Sequence, residues 1–135
     1  MNSMSFTRYH IPEAYWKPLE NAPILKGFQT EYRLVDLLRE SKFYIMPSKY
    51  MGGITLHKKV ILLHQDFNLF SEPKQLQILA HEGYHVAQQK AWGWISFMWK
   101  ELREWIEAGC SYQKMKTFGI EKAAYDYQHQ FVQKF

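Results

Sequence analysis

The stretch LFSEPKQLQILAHEGYHVAQQK, Leu69 to Lys90, decides how the rest of the chain is read. Ser71 suits an N-cap, Glu72 and Pro73 suit a first helical turn, and Leu76, Leu79, Gly83 and Val86 recur on one face. The spacing predicts a helix, and inside it His81 and His85 stand four residues apart with Glu82 beside the first. Residues at that spacing project from one side of a helix, about 6 Å apart along its axis, so both imidazoles can reach one ion. Glu82 is turned about 100° from His81, which makes it a poor ligand to that ion but lets it reach a water beside it.

Working outward, KFYIMP (Lys42 to Pro47) and ITLHKKVILLH (Ile54 to His64) are rich in β-branched and aromatic residues and flank Gly52 and Gly53. They read as two or three strands with turns. Before them, TEYRLVDLLRE (Thr30 to Glu40) places Tyr32, Val35 and Leu38 at helical spacing behind a potential cap at Thr30. After the histidine pair, a second helix is expected through Trp94 to Met115, ending or bending near Gly109, and a third after Gly119. The fold class expected is therefore α+β, a small sheet packed on a helical half. Residues 1–30, with Pro12, Pro18, Pro23 and Gly27, read as an extended N-terminal arm, and residues 31–135 as the domain itself.

Composition narrows the function. With 135 residues, 47% hydrophobic and 17% aromatic, the chain can bury a true core without staples. The lone Cys110 excludes an intramolecular disulfide and every cysteine-rich zinc framework, so a metal must rest on histidines and carboxylates. The net charge of +4 is spread without any basic run, and nucleic-acid binding is not indicated. The N-terminus lacks the apolar core of a signal peptide, and Ala91 to Trp99 (AWGWISFMW) is too short for a membrane span, which leads to the expectation of a cytoplasmic or virion-associated protein.

HEGYH on a helix, preceded by an apolar strand and followed by IEKAAYDYQ (Ile120 to Gln128), resembles the gluzincin metallopeptidases in their minimal single-domain form, as found among bacterial and phage proteins. The resemblance spans roughly residues 54–130. It implies a zincin-like fold, a Zn²⁺ held by His81, His85 and Glu121, and Glu82 as general base in peptide-bond hydrolysis. It also implies that a substrate backbone aligns along an edge strand near Val60 to Leu63, and it leaves room for a phage virion component. The family's pattern carries an aspartate, which orients a ligand histidine, where this chain has Tyr125. Tyr125 can hydrogen-bond a ligand or an oxyanion instead.

Other residues compete for these roles. Glu107 and Glu104, on the helix after the motif, are alternative third ligands, although a solvated stripe of Glu101, Arg103 and Glu104 opposite Leu102, Trp105 and Ile106 also explains them. His129 is two turns beyond Glu121 and can serve as a donor behind the ligands or as an electrophile, and Tyr112, Tyr125 and Tyr127 are further electrophile candidates. His57 and His64 face opposite sides of a regular strand and cannot share an ion, and His10 lies in the arm. The Trp-rich segment 91–99 reads either as an aromatic wall of the core or, with the arm, as a docking surface in an assembly. A structural or assembly protein that keeps a zinc site without catalysis is the alternative to the enzyme.

Overall fold

The computed structural model describes residues 6–47, 53–56 and 59–132. In chain order its elements are β1 (Thr7–Tyr9), α1 (Trp16–Glu20), α2 (Leu34–Arg39), β2 (Lys42–Ile45), β3 (Gly53–Leu56), β4 (Val60–Leu63), α3 (Glu72–Trp92), α4 (Trp94–Glu107), α5 (Tyr112–Met115) and α6 (Gly119–Val132). His57, for which a strand position is expected, lies outside the described residues.

The α+β expectation is met, with α3 as the central element. The Ser71 hydroxyl accepts from the Lys74 N–H at 3.4 Å, and Pro73 sits in a first turn whose N–H groups have no helical partner. Leu76, Leu79, Gly83 and Val86 are all buried, as their spacing predicts. Gly83 is required there because a β-carbon at that position would collide with the Leu34 side chain of α2, so its absence sets how closely α2 and α3 approach. The helix stops at Gly93, whose φ of 82° belongs to the left-handed region that glycine adopts without strain.

The sheet has four strands in the order β1-β2-β4-β3. β2 and β4 pair in parallel (Lys42 with Val60, Ile45 with Leu63), and β3 returns antiparallel on β4 (Gly53 with Leu63, Leu56 with Val60). Val60–Leu63 is thus a central strand and not the edge that the sequence suggests. The edge nearest α3 is β3.

The N-terminal segment is not an arm lying over the domain. β1 pairs antiparallel with β2, and Tyr9, Leu19 and Leu25 are buried in the same core as Leu37, Ile61, Leu63, Phe67 and Leu76. Pro18 does not prevent α1 because it stands in the first turn, where its missing N–H leaves no bond unmade.

α4 also differs from expectation, since its orientation is inverted. Phe97 and Ala108 are buried, Glu101 and Glu104 are half-buried, and Ile95, Trp99, Leu102 and Ile106 are exposed. The Trp-rich segment is therefore not a core wall, apart from Phe97. Among the described residues, no helix is long and apolar enough to cross a membrane.

Candidate metal centre

α6 lies along α3, and this packing brings together residues 40 positions apart. His81 and His85, on adjacent turns of α3, meet Glu121 from the first turn of α6. The Nε2 atoms of the two histidines are 3.2 Å apart. Glu121 spans them with one oxygen each, Oε1 at 3.1 Å from His81 Nε2 and Oε2 at 3.0 Å from His85 Nε2. All three residues are buried. Ligands held at about 2.0–2.1 Å in a tetrahedron stand roughly 3.4 Å from one another, so the spacing of these donor atoms suits one small cation. The group is positioned to bind a metal ion.

The far side of each imidazole fixes its role. His81 Nδ1 lies 3.0 Å from Gln128 Oε1, and His85 Nδ1 lies 2.8 Å from Gln88 Oε1. Each glutamine is oriented in turn through its amide nitrogen, Gln128 donating to Gln77 Oε1 and Gln88 to the Ile120 carbonyl. An amide oxygen only accepts, so each Nδ1 carries a proton and each Nε2 faces the centre. The orienting function that the family resemblance assigns to an aspartate at the position of Tyr125 thus falls to two glutamines. Nothing in the local pattern marked them, although Gln88 stands three residues after His85 on the same helix face.

Among the third-ligand candidates, Glu121 is the one brought to the histidines. Glu107 is exposed. Glu104 Oε1 accepts the Ile120 N–H at 2.8 Å, pinning the start of α6 and with it Glu121. Gly119 precedes that contact with φ 61°, and a β-carbon on it would strike the Glu104 carboxylate. The Tyr125 ring packs edge-on against His81 at 4.4 Å between centroids, and Phe97 of α4 packs against His85 at 5.7 Å. The Tyr112 hydroxyl donates to Glu121 Oε1 at 3.3 Å and lies 2.9 Å from the Tyr125 hydroxyl. His129 does not take the place expected of it behind the ligands. It is exposed, with its ring 6.4 Å from that of Tyr125, and the position behind His81 is held by Gln128. Tyr127 points away and donates to the Pro23 carbonyl.

Charge in the cluster is concentrated. Burial opposes the charged form of His85, but the hydrogen bond and charge of Glu121 outweigh it and push its pKa up to about 10. Burial likewise disfavours the Glu121 carboxylate, yet the bonds from His81 and His85 hold its pKa well below the usual carboxylate range. Glu101, reaching in from α4, is raised to about 8, first by burial and then by the Glu121 charge, and its Oε1 is buried without a hydrogen-bond partner. Burial and the Glu121 charge also raise Tyr112, so its phenol keeps its proton.

No family model matches the chain. No curated protein and no solved structure matches it either.

Glu82, between the two histidines in sequence, is also buried, and it is held from the sheet. The Thr55 hydroxyl of β3 lies 2.8 Å from Glu82 Oε1 and 3.2 Å from the Glu82 carbonyl. The negative charge of Glu82 reaches His85, Tyr112 and Tyr125, which places the carboxylate beside the cluster without making it one of the three donors.

Proposed function

We propose that this chain is a zinc-dependent metallopeptidase of gluzincin type, with His81, His85 and Glu121 as ligands and Glu82 as general base and acid. The observation that carries the reading is the division of labour on α3. Two imidazoles have their Nε2 atoms turned to one point, and the intervening carboxylate is fixed separately by Thr55. When bound, zinc supplies Lewis acidity, lowering the pKa of a neighbouring water towards about 7 and polarising a carbonyl. Glu82 is then the group that takes the water's proton and later passes it to the leaving amine. Tyr112 and Tyr125, both holding their phenolic protons and packed against Glu121 and His81, are the donors we assign to an oxyanion. An extended peptide adds to the edge of β3 away from β4, where Thr55 touches the general base and its carbonyl takes the Gln89 amide at 3.3 Å.

A second reading, a structural or assembly protein that keeps the metal as a staple, is favoured by one observation. His81, Glu82, His85 and Glu121 are only 4–6% exposed, so a substrate must displace something to reach them. Elemental analysis of the wild type beside His81→Ala and Glu121→Ala tests the centre, and Glu82→Gln separates the two readings. In the enzyme it abolishes cleavage of an unfolded protein substrate while one zinc per chain is retained. In the staple, no cleavage is seen in the wild type and the thermal midpoint still falls on chelation. No zinc in the wild type, and none taken up on addition, rules out both.

A further inference from the structure

The inner side of α4 carries a polar group that the three donors leave unexplained. Of the fourteen residues of α4 only Phe97 is buried, and its ring packs on the His85 ring. Glu101 stands four residues further along the same side, where its carboxylate meets that of Glu121 and feels the charge of His85. Glu101 Oε1 is buried and has no hydrogen-bond partner among the described residues. A buried carboxylate oxygen without a donor is costly to keep, and two carboxylates side by side repel unless a proton or a cation joins them. Neighbouring acids are already engaged, Glu82 by the Thr55 hydroxyl and Glu104 by the Ile120 N–H. Glu101 is left with an acceptor to spare at the edge of the cluster.

We propose that Glu101 is a fourth protein ligand to the metal held by His81, His85 and Glu121, so that the closed centre keeps no position for water until α4 withdraws. The inference rests on the metal centre of the reading above and not on hydrolysis. Three donors leave one corner of a tetrahedron. A zinc site that gives that corner to a side chain is closed, and one that gives it to water is open. Glu101 is not among the donors that lie within 4.8 Å of one another, and its side chain has three rotatable bonds with which to close on the ion. Closure of this kind agrees with the slight exposure of all three ligands. α4 is also suited to release. Phe97 apart, none of its residues is fully buried, and it runs between Gly93 at φ 82° and Gly109 at φ 65°, where glycine turns without strain. Withdrawing the helix takes Phe97 from His85 and Glu101 from the ion in one movement, so lid and ligand are the same element.

The test reads the metal and not cleavage. Cobalt(II) is loaded into the full chain, its visible spectrum is recorded with and without azide, and zinc affinity is measured by chelator competition. In the wild type the spectrum of a four-coordinate ion should be unmoved by azide, because no exchangeable position exists. Glu101→Ala should open that position, so that azide shifts the spectrum. It should also weaken zinc at least about tenfold, since loss of even a partner behind a ligand costs roughly 10- to 100-fold. Glu101→Gln separates ligation from a merely structural contact. If Glu101 only shares a proton with Glu121, an amide donates in its place and zinc affinity is kept, which overturns the proposal. The expected result is zinc weakened in Glu101→Gln as in Glu101→Ala, because an amide does not replace a ligating carboxylate. Glu107→Ala, on the exposed side of the same helix, should change neither reading. A wild-type spectrum that azide shifts overturns the proposal while leaving the three-donor centre intact, and a wild type that binds neither metal overturns both.

Discussion

The hydroxyl of Thr55 sits 2.8 Å from Glu82 Oε1, across 27 residues of sequence, and ties the carboxylate of the motif helix to the edge strand of the sheet. Two parts of the fold that could drift independently are fixed to each other at the point where a general base must be aimed. Thr55→Val keeps the side chain's shape and removes the donor. It is expected to lower turnover of a peptide substrate by about tenfold or more through misplacement of Glu82, with zinc stoichiometry unchanged. A fall in metal content equal to the fall in rate would place Thr55 in ligand support instead.

The glutamines behind the histidines should act on metal affinity. Gln128→Leu removes the acceptor for His81 Nδ1 and is expected to weaken zinc binding roughly 10- to 100-fold in a chelator competition. Gln88→Leu should weaken it to the same degree and also lower the thermal midpoint further, because Gln88 Nε2 additionally donates to the Ile120 carbonyl at the head of α6.

Two glycines separate packing from ligand placement. Gly83→Ala forces a β-carbon into Leu34 and is expected to cost about 1–3 kcal/mol of stability, read as a lower denaturation midpoint. Gly119→Ala strains a residue at φ 61° and pushes on the Glu104 carboxylate that holds Ile120. It should therefore lower zinc affinity as well as stability, whereas metal bound to the folded Gly83→Ala variant should be as tight as in the wild type.

Proton and metal compete for His85. In the metal-free protein its pKa lies at about 10, above the ordinary value, so its ion pair with Glu121 stabilises the fold fully below pH about 6.5. That contribution is lost as the pH rises through about 10. Metal needs the neutral ring, so each zinc bound at neutral pH should release this proton, and apparent affinity should climb about tenfold per pH unit until the pH passes the folded pKa. Calorimetry in buffers of different ionisation enthalpy measures the released proton directly, and a pH-independent affinity would contradict the assignment of His85 as a ligand.

The parts of the fold legible in the sequence were those set by local periodicity. Ser71, Pro73 and the Leu76 to Val86 stripe specify α3, and the same period places His81, Glu82 and His85 without reference to anything else. Glu121 was singled out by resemblance, and what brings it to the histidines is the packing of α6 along α3. Thr55 and Gln128 cannot be read from the sequence because hydroxyl and amide partners 27 to 47 residues away leave no pattern along the chain, and Gln88 is, in sequence, one more polar residue of a helix. Prolines point to an extended arm over residues 1–30, yet Pro18 falls at the one part of a helix that does not need its N–H. In α4 the stripe was visible in the sequence, but a stripe shows only which residues are alike and not whether the protein covers them.

The Tyr127 hydroxyl reaches the Pro23 carbonyl at 2.7 Å across 104 residues. Six positions before Tyr127 on the same helix is Glu121. Among the described residues, the N-terminal segment contributes no donor atom to the cluster, yet it braces the helix that supplies the third one. Occupancy of the centre should therefore be sensed at the opposite end of the chain, where slower proteolytic nicking around Pro23 would report a loaded site. A chain cut between Lys26 and Glu31 should hold metal only while the released N-terminal piece stays docked. Seen this way, the centre is a clasp that closes the chain on itself.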